Sequence, residues 1–370
     1  MSRMRYVVTG GTGFIGRRVV SAILARTDDS DVWILVRRES LSRFERLAAQ
    51  WGERVKPLVG DLTSANLGLS EAAVAELGSV DHVVHCGAVY DVTADDEAQR
   101  AANVDGTKAV VDLALRVDAT LHHVSSIAVA GTFPGVYTED DFDVAQDLPT
   151  PYHQTKFEAE MLVRAAPGLR YRVYRPAVVV GDSRTGEMDK VDGPYYFFGL
   201  LAKLAVLPRY TPIMLPDTGR TNVVPPVDYV VDAVATLMHL PPDRDGQTFH
   251  LTAPKSIGLT HIYRGVAKEA RLPELRGSLP GSLATPLLTA TGRAKILRNM
   301  AATQLGIPAE ILDVVDLAPD VHFRQCRRGL ARQRNTGSRL RVLRTPCCGV
   351  TGPSTWTRTG PAATILRVRW

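Results

Sequence analysis

The chain of 370 residues is 45% hydrophobic, 22% charged and 6% aromatic, with a mean hydropathy of −0.04, which excludes a disordered polymer and allows a large core. No apolar run approaches the ~20 residues that span a bilayer, and Met1–Arg5 lead straight into Tyr6-Val7-Val8 rather than an apolar leader, so a soluble cytoplasmic protein without a transmembrane segment is expected. The net charge of +5 points toward nucleic acid only until its distribution is read. Residues 324–370 hold 11 Arg and no Asp, Glu or Lys, whereas residues 1–323 carry 33 Lys and Arg against 39 Asp and Glu. The body is acidic, and no nucleic-acid partner is expected. Cys86 is the one cysteine of residues 1–323, which fits a reducing compartment. No metal is expected either: Cys347-Cys348 has no ligand spacing, and His85, His122, His123 and His153 read as core or surface histidines.

In chain order, Tyr6–Thr9 is an apolar strand, Gly10-Gly11-Thr12-Gly13-Phe14-Ile15-Gly16 a glycine turn, and Val19, Val20, Ile23 and Leu24 recur with helical period. Strands follow at Val32–Val36, Val55–Val59 and His82–His85, with helices at Ser40–Trp51 and Ala72–Leu77 between them. Helix Val104–Val117, strand Leu121–Val124, helix Tyr152–Val163 and strand Tyr171–Tyr174 continue the alternation. Near-continuous apolar strands alternating with helices predict an α/β fold, a doubly wound parallel sheet of the Rossmann type. Its domain is expected over residues 1–180, with some later segments returning to it. A smaller substrate lobe is expected over 181–323, with helices near Tyr195–Leu204, Tyr229–Met238 and from Leu259 to Val315 and a strand at Thr248–Leu251, lying over the carboxyl ends of the strands. Residues 324–370 read as a disordered or frame-shifted tail.

The glycine turn sits between a first strand and an amphipathic helix, which is the placement that gives Gly10, Gly13 and Gly16 their roles. They provide a tight turn, close backbone approach to a pyrophosphate and close helix–strand packing, while the helix N-terminus offers N–H groups and dipole charge. Thr12, Phe14 and Ile15 join them as cofactor-binding candidates. The second strand ends Val36-Arg37-Arg38, with no carboxylate before Glu39. Arginine there accommodates a 2′-phosphate, so NADPH is expected, with Arg37 the first partner and Arg38 the second. After the third strand, Asp61 is placed to accept from the adenine amino group and Leu62 to pack on its ring.

Tyr152-His153-Gln154-Thr155-Lys156 opens a helix, so Tyr152 and Lys156 share a face. The preceding strand ends Val124-Ser125-Ser126. A phenol of pKa ~10 is a poor acid at neutral pH, and a neighbouring ammonium lowers that value. Tyr152 then donates a proton to a developing alkoxide, Ser126 holds the same oxygen, and Lys156 also binds the nicotinamide ribose.

These motifs in this order resemble the extended short-chain dehydrogenase/reductases. Gly87-Ala88-Val89-Tyr90-Asp91, Asn103–Thr107, Tyr174-Arg175-Pro176 and above all Gly186–Phe198 are similar to the amino-terminal reductase domain of bacterial fatty acyl-CoA reductases, relatives of thioester-reductase domains. The resemblance spans about residues 4–323. It implies NADPH-dependent reduction of a long-chain acyl thioester to the aldehyde, with Ser126, Tyr152 and Lys156 catalytic. It also implies that Gly87, Ala88, Pro176, Val178 and Val179 line the cofactor. The acyl carrier, CoA or protein-bound pantetheine, is left open, as is the oligomeric state.

Two other readings stand beside it: sugar-nucleotide epimerisation or hydroxysteroid oxidation on the same fold, and a non-catalytic dinucleotide-binding product. Asn103 reads equally as a site residue or a helix cap. Tyr195, Tyr196, Phe197 and Phe198, with Leu200 and Leu201, read as either an acyl-chain groove or a packed helix.

Overall fold

The computed structural model describes residues 3–88, 96–189, 201, 204–217, 224–253, 259–280 and 321–323. Seven strands form one parallel sheet: β1 (Met4–Thr9), β2 (Ser30–Val36), β3 (Val55–Val59), β4 (His82–His85), β5 (Thr120–Val124), β7 (Tyr171–Pro176) and β9 (Thr248–Leu251), in spatial order β3-β2-β1-β4-β5-β7-β9. Each neighbouring pair runs parallel. β6 (Gly135–Tyr137) lies outside this sheet and pairs with Val321–Phe323. The expected doubly wound parallel sheet is the fold observed.

Helices α1 (Phe14–Arg26), α2 (Leu41–Trp51), α3 (Glu71–Leu77), α4 (Asp96–Arg100), α5 (Gly106–Arg116) and α6 (Pro151–Ala165) connect the strands, and α7 (Val227–Leu237) precedes β9. Alternating strand residues face opposite layers. Val7, Leu58, Val83, Leu121 and Val173 pack with Val74 and Leu77 of α3, Val110, Val111 and Ala114 of α5, and Val163 of α6. On the other face Tyr6, Val8, Ile34, Val84 and Tyr174 are buried, and α1 packs against β1 and β2. There Arg172 ties down the carboxyl end of α7 through the carbonyls of Leu237, Met238 and Leu240, supplying donors that a helix end lacks.

The chain divides into two compact units, the first taking the described residues of Met1–Ala177 and Asp228–Leu251, the second those of Val178–Val227 and Thr252–Val321. α7 and β9, read above with the second lobe, thus fall almost wholly in the first unit. In the second unit α8 (Leu259–Ala270) is a helix as expected, but the helical reading beyond it fails. Arg271 has φ 54° and Pro273 follows, which together stop the helix. Leu275–Pro280 is instead a strand, β10, parallel to β8 (Ile213–Asp217). The readings on Tyr195–Phe198 and Leu200, on 281–315 and on the tail from 324 lie outside the described residues.

The strand order reverses between β1 and β4, and in such sheets the crevice at the carboxyl ends beside that reversal is where ligands bind. Gly10 follows β1 there, and Gly87 follows β4.

Candidate active site

Gly10 has φ +66°, and a Cβ on it would stand 2.6 Å from Gly87 N; a Cβ on Gly16 would stand 2.2 Å from Gly10 O. The turn after β1, the loop after β4 and the start of α1 are therefore closed on one another at distances only glycine permits. Gly13 differs, because a Cβ there would meet only Gly10 O, at 3.1 Å. Gly13 is also the N-cap of α1, and no side chain caps that helix. A helix N-terminus without a side-chain cap fits a dinucleotide pyrophosphate, which the turn would hold through backbone N–H groups. Thr12, Phe14 and Ile15 are half-buried around it.

Asp61 builds a side-chain turn, its Oδ1 accepting from Thr63 N and Thr63 Oγ1, both at 2.9 Å. Leu62 beside it reaches the two glycines of the neighbouring elements: a Cβ on Gly87 would lie 2.5 Å from Leu62 Cδ1, and one on Gly106 3.1 Å from Leu62 O. Arg37 and Arg38 are both exposed after β2, and Arg37 pairs with exposed Glu39 at 3.3 Å. Such a pair contributes little in water, so a phosphate competes with Glu39 at small cost. Gly87 is buried, Ala88 exposed and Pro176 buried at the end of β7. Val178 and Val179 fall in the second unit.

The helix bearing Tyr152 and Lys156 starts where sequence chemistry says it should: Thr150 is the N-cap, its side chain accepting from His153 N, and Pro151 occupies the first turn. Lys156 is buried and donates from Nζ to Val124 O at 3.0 Å, tying α6 to the end of β5. Burial lowers its ammonium to about 8, although Glu160 and Cys86 pull it upward. Two N–H groups of the ammonium remain beyond that bond. Tyr152 is half-buried one turn earlier on the same face. Ser126 ends the strand segment and caps the turn Ile127–Ala130, which packs on α6. Lys156 is thereby tied to the end of β5, with Tyr152 one turn before it on α6 and Ser126 two residues beyond Val124.

Three buried groups around this site escaped the sequence reading as functional supports. Glu160, one turn beyond Lys156, takes a two-pronged pair from Arg175, with Nη2 to Oε1 at 2.7 Å and Nε to Oε2 at 3.1 Å. Ser125 Oγ donates to the same carboxylate at 2.7 Å and Arg164 Nε at 2.8 Å. Burial works against the Glu160 anion, but the Arg175 charge, together with these donors, outweighs it and holds the carboxyl below its usual range. The signal was available in the i, i+4, i+8 spacing of Tyr152, Lys156 and Glu160. Asn103 lies in a π-helical turn, Ala101–Asp105, and its Nδ2 donates to Thr155 Oγ1 at 3.2 Å, so it is no helix cap.

The model of the family described as male sterility protein matches residues 8–234. The chain belongs to this family. Among curated relatives of this male sterility family member, a linear gramicidin synthase of Brevibacillus parabrevis is 30% identical over 270 residues, covering 68% of the chain and 5% of that protein. Glycine betaine reductase ATRR of Emericella nidulans is 29% identical over 284 residues, 70% of the chain and 21% of that protein. The chain thus spans a small part of the length of these relatives. Among solved structures, the terminal R domain from the myxalamid PKS-NRPS biosynthetic pathway superposes with a TM-score of 0.71 at 27% identity, covering 91% of the chain and 86% of that domain. UDP-glucuronic acid 4-epimerase from Bacillus cereus in complex with NAD gives 0.57 at 16% identity over 84% of the chain and 96% of its own length, a likeness of fold alone. The family member is an extended short-chain dehydrogenase/reductase of the thioester-reductase type, as its motifs led one to expect.

Proposed function

We propose that the protein reduces an acyl thioester of pantetheine to the aldehyde with NADPH. The observation that carries this reading is the bond from Lys156 Nζ to Val124 O at 3.0 Å, which ties the helix of Tyr152 to the strand end that leads into Ser126. The glycine turn after β1, with an N-terminus of α1 that has no side-chain cap, supplies the cofactor end. The likeness to a terminal reductase domain at 27% identity supports it.

When bound, NADPH supplies the hydride. The chain supplies the rest: Ser126 donates a hydrogen bond to the thioester carbonyl oxygen and Tyr152 protonates that oxygen as it becomes an alkoxide. Lys156 stabilises the phenolate left on Tyr152 and holds the nicotinamide ribose. The tetrahedral adduct then loses the pantetheine thiol and leaves the aldehyde. Arg37, with Arg38 beside it, recognises the 2′-phosphate; Asp61 and Leu62 take the adenine; Gly87, Ala88 and Pro176 line the cofactor. A long-chain acyl group on CoA is the first substrate to test, and the same acyl group on a pantetheinylated carrier protein is the second.

The experiment is NADPH oxidation with each donor, the aldehyde identified by mass spectrometry. Aldehyde from either donor is the expected result and the faster donor names the carrier. No aldehyde from either, with NADPH bound, overturns the reading.

A further inference from the structure

A series of hydrogen bonds, all buried but the last, links the turn after β1 to α6, with His85 near its centre. Gly87 N donates to Thr9 Oγ1 at 3.1 Å, and Thr9 Oγ1 lies 2.6 Å from His85 Nδ1. His85 Nε2 lies 3.0 Å from Thr107 Oγ1, which donates to Asn103 O at 2.5 Å. The Asn103 side chain donates to Thr155 Oγ1 at 3.2 Å, and Thr155 Oγ1 donates to Tyr152 O at 3.3 Å. Thr9, His85, Asn103, Thr107 and Thr155 are all no more than 4% exposed.

The ends of the series fix its polarity. An amide N–H only donates and a carbonyl only accepts, so the single Thr107 proton goes to Asn103 O and Thr107 must receive from His85. His85 therefore carries its proton on Nε2, and its bare Nδ1 accepts from the Thr9 hydroxyl, which in turn accepts from Gly87. Such a ring accepts on one side and donates on the other only while neutral. Burial favours that state, holding the His85 imidazolium down to about 3.

We propose that His85 is a positioning residue that fixes the separation between the glycine turn and the proton donor Tyr152. Thr9 immediately precedes Gly10, and Tyr152 lies in the first turn of α6, so the relay spans the two parts whose alignment the reaction needs. Misplacement of reacting groups by about 1 Å costs on the order of 100-fold in rate. The inference rests on the reductase reading for its kinetic readout alone.

Two substitutions separate the halves of the relay. In His85→Asn the amide oxygen stands near the place of Nδ1 and keeps the Thr9 bond while the Thr107 side is lost. In His85→Gln the amide reaches the place of Nε2 and keeps Thr107 while Thr9 is lost. Measured by NADPH fluorescence and steady-state kinetics, His85→Asn is expected to keep its NADPH Kd within about threefold and lose about tenfold in kcat. His85→Gln is expected to raise the NADPH Kd about tenfold and keep kcat at saturating NADPH. Thr155→Val breaks the two links at the Tyr152 end, from Asn103 and to Tyr152 O, and should behave as His85→Asn, which keeps the comparison open if that variant fails to fold. A merely structural histidine lowers Tm in both variants without this split, and equal changes, or none, overturn the proposal. The Kd contrast needs no substrate: a wild-type protein that binds NADPH but makes no aldehyde fails the reductase reading, while a missing Kd contrast fails the inference. The 15N shifts of His85 are expected to be those of a neutral Nε2–H ring, and an Nδ1–H pattern likewise overturns it.

Discussion

Ser125 donates its hydroxyl to the Glu160 carboxylate at 2.7 Å. Its neighbour Ser126 accepts from Ala128 N at 3.1 Å and donates to no group among the described residues. Adjacent serines at one strand end thus differ: Ser125 is committed to Glu160, and Ser126 is the one proposed to donate to substrate. Ser126→Ala should lower kcat by about 100-fold, the usual loss for one oxyanion donor, with about 1 kcal/mol of stability lost with the cap to Ala128 N. Ser125→Ala should cost about 1–2 kcal/mol of stability, because a buried carboxylate loses a donor, and less than tenfold in kcat. Paired kinetic and thermal measurements on the two variants check the division.

The Arg175–Glu160 pair is fully buried, 0% exposed on both sides. Removing one partner leaves the other charge uncompensated, so Arg175→Met should destabilise by about 3–5 kcal/mol. Denaturant unfolding measures it. A loss below about 1 kcal/mol would show that water or a rearranged Arg164 replaces Arg175.

Lys156 ionises at about 8 in the folded chain, lowered by burial. Its positive charge, proposed to favour proton donation by Tyr152, is present below that pH and lost above it. kcat/KM is therefore expected to fall as pH rises through about 8. Lys156→Arg, charged at every accessible pH, should remove this limb even at reduced rate. Stability runs the other way: between about 8 and the ordinary lysine value the unfolded chain holds the proton that the folded chain has released, so this group's contribution to stability rises with pH.

Histidines give the acid side. Burial first, with cationic neighbours adding to it, lowers His82 and His85 to about 3, and burial lowers His153 to about 4. Unfolding frees these rings to take up protons below their ordinary value near 6.5. Stability should therefore fall as pH drops from about 6 toward 4, each group contributing up to about 1.4 kcal/mol per pH unit. Urea unfolding at pH 7, 6 and 5 checks the slope, and His153→Gln should shallow it.

Arg37 is exposed and, among the described residues, its side chain is paired with Glu39 at 3.3 Å. If it receives the 2′-phosphate, Arg37→Ala should weaken NADPH by about 10–100-fold, the range for a charge-assisted bond, and leave NADH unchanged. Calorimetric titration with both cofactors decides it.

Much of this was legible in the sequence because local and global signals agree there. Gly10–Gly16 between Tyr6-Val7-Val8 and Val19–Leu24 can be little else than strand, turn and helix, and the helical spacing of Tyr152 and Lys156 marks α6. The relay was hidden because its members are small polar residues whose partners lie far away in sequence, as Thr9 and His85 do. A buried histidine at a strand end reads as core until the second strand's register is known. Thr9 and His85 are aligned across β1 and β4, which periodicity within one strand does not reveal. Leu275–Pro280 was misread because its partner Ile213–Asp217 is equally distant, and only the left-handed turn at Arg271 redirects the chain.

The most direct test of the central claim follows the hydride itself. With NADPH deuterated twice at C4 and an acyl thioester as substrate, the aldehyde should carry one deuterium at C1, and Tyr152→Phe should lower its rate of formation by about 100-fold or more. An aldehyde without deuterium at C1, or one formed as fast by Tyr152→Phe, would contradict the account.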